Sequence, residues 1–496
     1  MDQLASVLLA FPPSEGLEQG DNALPVYDRA AKEHVRALEK LRKDKSADFS
    51  AHATQLLQHI DPALNSISFL YLLHSLYIDA VQQPATPDEH LVVFFLRFDP
   101  RQIRYAGHAF SELLHNLYSG KQVPANAVVT CVSAALRRLD PTGSMFTSHH
   151  VPLVKLAYYS NNLEQVLDII SSPIVLFPGM RGQTEPRPLC DMRLPPSSYI
   201  TVESGLTSRV RAFDILEYDY LLGDCCLRLG KFHDAFAAYE RVATYPSKDH
   251  GCSTIMVEGY NRFVLSSLLA KGTFYARLQL TQAVSNTFSK IGRPYINVAR
   301  EFNKPDNAAA LKAEVEKVGW DFWNEAGNGG LMEYVLELYQ PHDILRLGDV
   351  YSQLHLEDIR TLTQSAVTGS HLETTGEVEV MLSKMISSGM LKGTITKPGG
   401  SVPGDGQGYF TFSAGEQDMD EEQYMQKALD VESRIRSLEP ILRATNERLS
   451  TSRDFVKYVL RREASEKGPG SGVGKDVDIN FSYDSQIEDE DLMVGN

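Results

Sequence analysis

His149 and His150 stand side by side, Cys225 and Cys226 do the same, and Gly468 to Lys475 reads GPGSGVGK. These are the stretches whose residue types could do chemistry. Adjacent histidines can join a metal site, but no carboxylate or Cys lies at helical spacing to complete one. A surface or helix-capping pair is the expectation. The two thiols fall in an apolar helical pattern, which predicts buried, inert side chains. The glycine run fails as a phosphate-binding loop, because Pro469 holds the first Gly position and Asp476 replaces the final Ser or Thr. Gly404-Asp405-Gly406-Gln407-Gly408 leads into a strand pattern and reads as a turn. A zinc site that activates water through two His one residue apart has no counterpart, since His-x-His does not occur. No Gly-x-Ser-x-Gly elbow sits between a strand and a helix either. The sequence therefore predicts no catalytic, metal-binding or cofactor-binding residues.

Composition points the same way. The chain has 496 residues, 43% hydrophobic and 23% charged, enough apolar text for several buried cores. Its longest apolar runs, such as Leu91 to Leu96, are too short to span a membrane. It begins Met1-Asp2-Gln3 without a basic region, which argues against a secretory signal. Five Cys with no C-x-x-C pair suggest thiols in a reducing compartment. A net charge of -16 disfavours nucleic acid as a partner.

The elements that must position any surface are mostly helices. Asp88 to Phe98, Gly107 to Tyr118 and Leu163 to Ile170 carry apolar residues near a 3.6 period, separated by short polar or Pro-bearing links. Tyr218 to Pro246 reads as a tetratricopeptide-like helical pair. Gly223 and Ala235 would let two backbones approach while Tyr239 fills the angle between them. Phe177 to Gly205 holds five Pro and reads as a surface loop.

The grammar changes at Pro341, which suits the first turn of a new helix reaching about Gln353. A second helix starts near His355, and Thr374-x-x-Glu377 forms a capping box for a third, about Thr375 to Ser388. Strands are expected at Leu391 to Lys397 and at Tyr409 to Phe412, making a winged helix with an open strand edge at its hairpin. The third helix carries Glu377, Glu379 and a single Lys384, a poor track for phosphates. Residues 416 to 462 read as one long helix. Its seam, including Val431, Ile435, Leu438, Leu442 and Leu449, advances in steps of four and three, and Pro440 should bend it. Residues 464 to 496 carry eight acidic residues against two Lys and read as disordered.

Helical repeats, a winged helix and a long terminal helix, in this order, resemble the PCI-domain family of the proteasome lid, the COP-nine signalosome and a translation initiation factor. Tyr220, Gly223, Gly230, Phe232, Ala235, Tyr239, Met256, Glu258, Tyr260, Leu265, Ser267 and Leu268 most resemble the signalosome members of that family. The fold expectation is a mostly α chain: a TPR-like solenoid, a PCI winged helix and a long C-terminal helix. Its expected divisions are 1–205, 206–340, 341–415, 416–463 and 464–496. The resemblance implies a non-catalytic scaffold in a complex that removes the ubiquitin-like modifier Nedd from cullin-RING ubiquitin ligases, in cytoplasm and nucleus. Its partners would be other PCI subunits, met by the hairpin (Ile395, Phe410, Phe412) and by a shared C-terminal bundle. A proteasome-lid scaffold and a nucleic-acid adaptor of the mRNA-export type are the alternatives.

Overall fold

The computed structural model describes residues 2–12, 23–44, 46–79, 89–119, 123–178, 187–246, 251–274, 278, 280–396, 408–413, 421–451 and 456. The chain divides into two compact units, residues 1–215 with 428–496, and residues 216–427.

The first unit is built from helices. Glu89–Arg97 and Gly107–Ser119 form where the apolar period predicts them. Phe94, Phe98 and Phe110 meet with ring centroids 5.5 to 6.5 Å apart, and Phe69 stacks on Phe94 at 5.7 Å. Between the two helices Asp99 accepts the Arg101 N–H at 2.9 Å and Pro100 occupies the first helical turn, so the chain restarts at once. Arg138 donates to the carbonyls of Leu96 and Phe98, satisfying acceptors that the end of Glu89–Arg97 leaves open.

The Pro-rich segment is no plain surface loop. Residues 179–186 lie outside the described residues, but Cys190, Leu194, Tyr199 and Ile200 are buried. Arg104 holds the segment, donating to the carbonyls of Leu189 and Asp191 at 2.8 Å each and lying 3.6 Å from the Tyr199 ring centre. The Tyr199 hydroxyl donates to the Leu139 carbonyl at 2.7 Å. Proline confines helix here to the single turn Pro196–Tyr199, which Pro196 opens, and side-chain donors supply most of the remaining order.

In the second unit, Ala212–Arg228 (from Leu216 onward) and Phe232–Ala243 form the expected pair, turning at Gly230, whose φ is +69°. Thr254–Lys271 packs next. At each crossing a glycine removes a side chain: a Cβ on Gly223 would come 2.5 Å from Tyr239, and one on Gly259 2.4 Å from Val242. The helix Gly329–Gly348 runs straight through the expected boundary at Pro341. The missing N–H and the ring clash cost about 3 kcal/mol. Burial of Tyr339, Pro341 and Ile344 on both sides of that point offsets the cost.

The same helix leads into strand β1 (Gln353–His355), helices Leu356–Leu362 and Thr375–Ser387, then β2 (Gly393–Thr396) and β3 (Tyr409–Phe412). Thr374 accepts the Glu377 N–H at 3.3 Å, and the Glu377 carboxylate accepts the N–H of Glu373, so the capping box closes one residue early. The three strands form an antiparallel sheet ordered β1-β3-β2, with Leu354 and Ile395 both opposite Phe410. Helix, strand, two helices and a hairpin with this strand order is winged-helix topology. Its core holds Ile344, Leu354, Ile359, Val378, Leu382, Met385 and Phe410.

Candidate interaction surfaces

The residues that could have done chemistry are locked into packing. His149 and His150 are 6% and 5% exposed, which corrects the surface alternative of the expectation, while the pair does stand at a helix start, with His149 at the N-cap position. His150 opens the helix His150–Tyr159, and its Nδ1 accepts the Thr147 N–H at 3.1 Å. Burial pushes both imidazoles down to about 4, with His115 adding to the effect on His149 and His149 adding to the effect on His150. Burial likewise pushes the Cys225 thiol up to about 12 and that of Cys226 up to about 11. Neither forms a thiolate near neutral pH. Among the described residues no three His, Cys, Asp or Glu side chains come close enough to hold a metal ion. The glycine run 468–475 and the acidic segment 464–496 lie outside the described residues, as does the wing loop before Gly408.

One polar network is buried in the second unit. Asp224 accepts from the Tyr239 hydroxyl and from the Arg262 guanidinium. Arg262 also donates to Asn328 at 3.2 Å, and Asn328 donates to the Tyr295 hydroxyl at 2.8 Å. Asp224 and Arg262 are 38 residues apart, and no local period in the sequence announces such a pair. The network joins the helices Ala212–Arg228, Phe232–Ala243 and Thr254–Lys271 and reaches Asn328 at the start of Gly329–Gly348.

What the fold leaves open is surface. In the winged helix β3 is the central strand, bonded on both sides, so the free edges belong to β1 and β2. Phe410 is fully buried in the core, a correction to its expected place at an interface. The pleat turns Phe410 inward, where it meets Phe412 edge-on at 4.8 Å. Ile395 and Phe412 are half-buried against the same core. Gly393 brings β2 onto the ring of Phe410, since a Cβ there would come 2.2 Å from it. Among the described residues no strand pairs with the outer edge of β2, which carries exposed Thr394 and Thr396. Such an edge is a template for another strand.

The terminal helix Glu421–Thr451 is continuous through position 440. On it Val431, Ile435 and Leu442 are 57%, 60% and 61% exposed, and Tyr424 and Leu429 are also exposed. The side chains of Leu438 and Leu449 lie outside the described residues. Three β-branched or leucine side chains on one helical stripe, open to water, mark a surface built to be covered.

Comparison with known proteins bears on what covers it. A family profile described as the N-terminal helical repeats of COP9 signalosome complex subunit 3 matches residues 30–191. A protein of Neurospora crassa named COP9 signalosome complex subunit 3 is 36% identical, over 100% of this chain and 99% of its own length. Proteins of the same name from Emericella nidulans and Arabidopsis thaliana are 27% and 24% identical, covering 91% and 74% of this chain and 92% and 76% of their own lengths.

Proposed function

Since the chain belongs to the COP9 signalosome subunit 3 family, we propose that it acts as a non-catalytic scaffold in that complex, in the removal of Nedd from cullin-RING ligases. Any zinc chemistry would then reside in another subunit. The observation that carries this reading is the apolar stripe of Glu421–Thr451, left in water by the chain on its own. Burying three such side chains in a bundle gains about 1.5 to 3 kcal/mol each before association costs. The outer edge of β2 supplies a second contact, by main-chain pairing with a strand of a neighbouring PCI subunit. Cytoplasm and nucleus are the proposed compartments.

Deletion of residues 416–496 tests the reading. The shortened chain should remain helical and soluble yet drop out of an affinity-purified assembly weighed intact. Retention at full stoichiometry would exclude the bundle role.

A further inference from the structure

We propose that the acidic C-terminal segment Asp476–Asn496 docks in cis along a basic stripe on the helix Ala23–Asp44. Arg29, Lys32, Arg36, Lys40 and Lys43 are all exposed, and at 100° per residue they fall within about 80° of arc. The opposite face, with Tyr27, Ala31, His34 and Leu38, is buried. At 1.5 Å per residue the stripe is about 21 Å long. Arg29, Arg36, Lys40 and Lys43 make no ion pair among the described residues, while Lys32 is held by Asp28 at 2.6 Å.

Where the stripe begins, the helix forms one wall of a groove of about 550 Å³, and Arg187 stands among its other lining residues. The groove contains two carboxylates. Asp28 is already engaged by Lys32 and by the Tyr105 hydroxyl at 2.9 Å, and Glu33 sits at the margin of the stripe. Arg187 lies 3.6 Å from Asp191 and keeps donors to spare. Glu39 and Asp44 lie outside the arc, and the helix as a whole carries six cations against four acids, so a chain of net charge -16 keeps a local cationic face.

The occupant is chosen by charge and tether. Asp476–Asn496 holds seven acidic residues and no Lys or Arg. The 24 residues between Thr451 and Asp476 can span at most about 80 Å. Surface ion pairs are individually weak, but a tether raises the effective concentration so that several together suffice. The contact is screened by salt. Removing the segment exposes an anion-binding face that an acidic partner could then take.

Zero-length carbodiimide cross-linking of the full chain tests this, because it joins only amines and carboxylates already in contact. In about 50 mM NaCl the acids of 476–491 should join Lys32, Lys40 or Lys43, with a yield unchanged over a roughly twentyfold dilution and at least about fivefold lower in 300 mM NaCl. The double variant R29E/R36E keeps the reporter lysines and should lose the links by a similar factor. Circular dichroism and the thermal midpoint check its fold. As a second variant, E488Q/D489N/E490Q/D491N should also lower the yield. Links spread evenly to Lys290 and Lys317, full yield in R29E/R36E, or a yield that falls with dilution would each overturn docking in cis.

Discussion

The ring of Tyr239 occupies the space that a side chain at position 223 would need: a Cβ on Gly223 would stand 2.5 Å from Cζ. Helical propensity favours Ala over Gly by about 1 kcal/mol, so an exposed helical glycine gains from the change. At 223 overpacking costs about 1 to 3 kcal/mol and should win. G223A is expected to lower stability in urea unfolding. G330A, in a helix where an added Cβ meets nothing within 4 Å, should be neutral or stabilising by a few tenths of a kcal/mol. Equal responses at the two sites would refute close crossing as the reason for Gly223.

The Asp224–Arg262 pair sits at 8% and 15% side-chain exposure. Removing one partner strands the other charge, at a cost of about 3 to 5 kcal/mol, whereas replacing both can be close to neutral. R262M should therefore destabilise strongly, and D224N/R262M should recover a large part of the loss. A double-mutant cycle by denaturant unfolding measures this. Additive losses would mean that the two groups act separately.

Much of this architecture was legible. The Phe-rich period of residues 88–118 forced helices because its apolar side chains share one face, and Gly223, Ala235 and Tyr239 announced a close crossing. Thr374 and Glu377 marked a helix start to the residue. Strand β1 was not legible, since three residues carry no period and Gln353 and His355 are polar. Pro341 misled because a local rule met tertiary burial. The Pro-rich segment misled because Arg104 orders it from 85 residues away. Phe410 was placed at the right register and the wrong depth, because alternation tells which residues share a face but not which face the core covers.

Acid should loosen the first unit. His150 is held at about 4 by burial and by His149, against about 6.5 in an unfolded chain. Between these values the unfolded chain binds the extra proton. Stability from the neutral ring is therefore complete above about pH 6.5 and falls as pH drops toward 4, by up to about 1.4 kcal/mol per pH unit. H150N can still accept the Thr147 N–H but cannot titrate. Its unfolding free energy, followed from pH 7 to 4, should decline less steeply than that of the unsubstituted chain. Parallel curves would show that His150 is not the responsible group.

The terminal stripe separates folding from assembly. Ile435 and Leu442 are about three-fifths exposed, so charge there displaces almost no buried surface in the isolated chain. I435D/L442D should change its thermal unfolding by no more than about 0.5 kcal/mol equivalent, the usual range for open surface positions. In an assembly the same side chains would be desolvated, and an unpaired carboxylate in that place costs several kcal/mol. Co-purification with partner subunits should then fall well beyond tenfold while the chain itself stays folded. A variant that unfolds would mean the stripe is covered within the monomer, and a variant that assembles normally would mean that partners bind elsewhere.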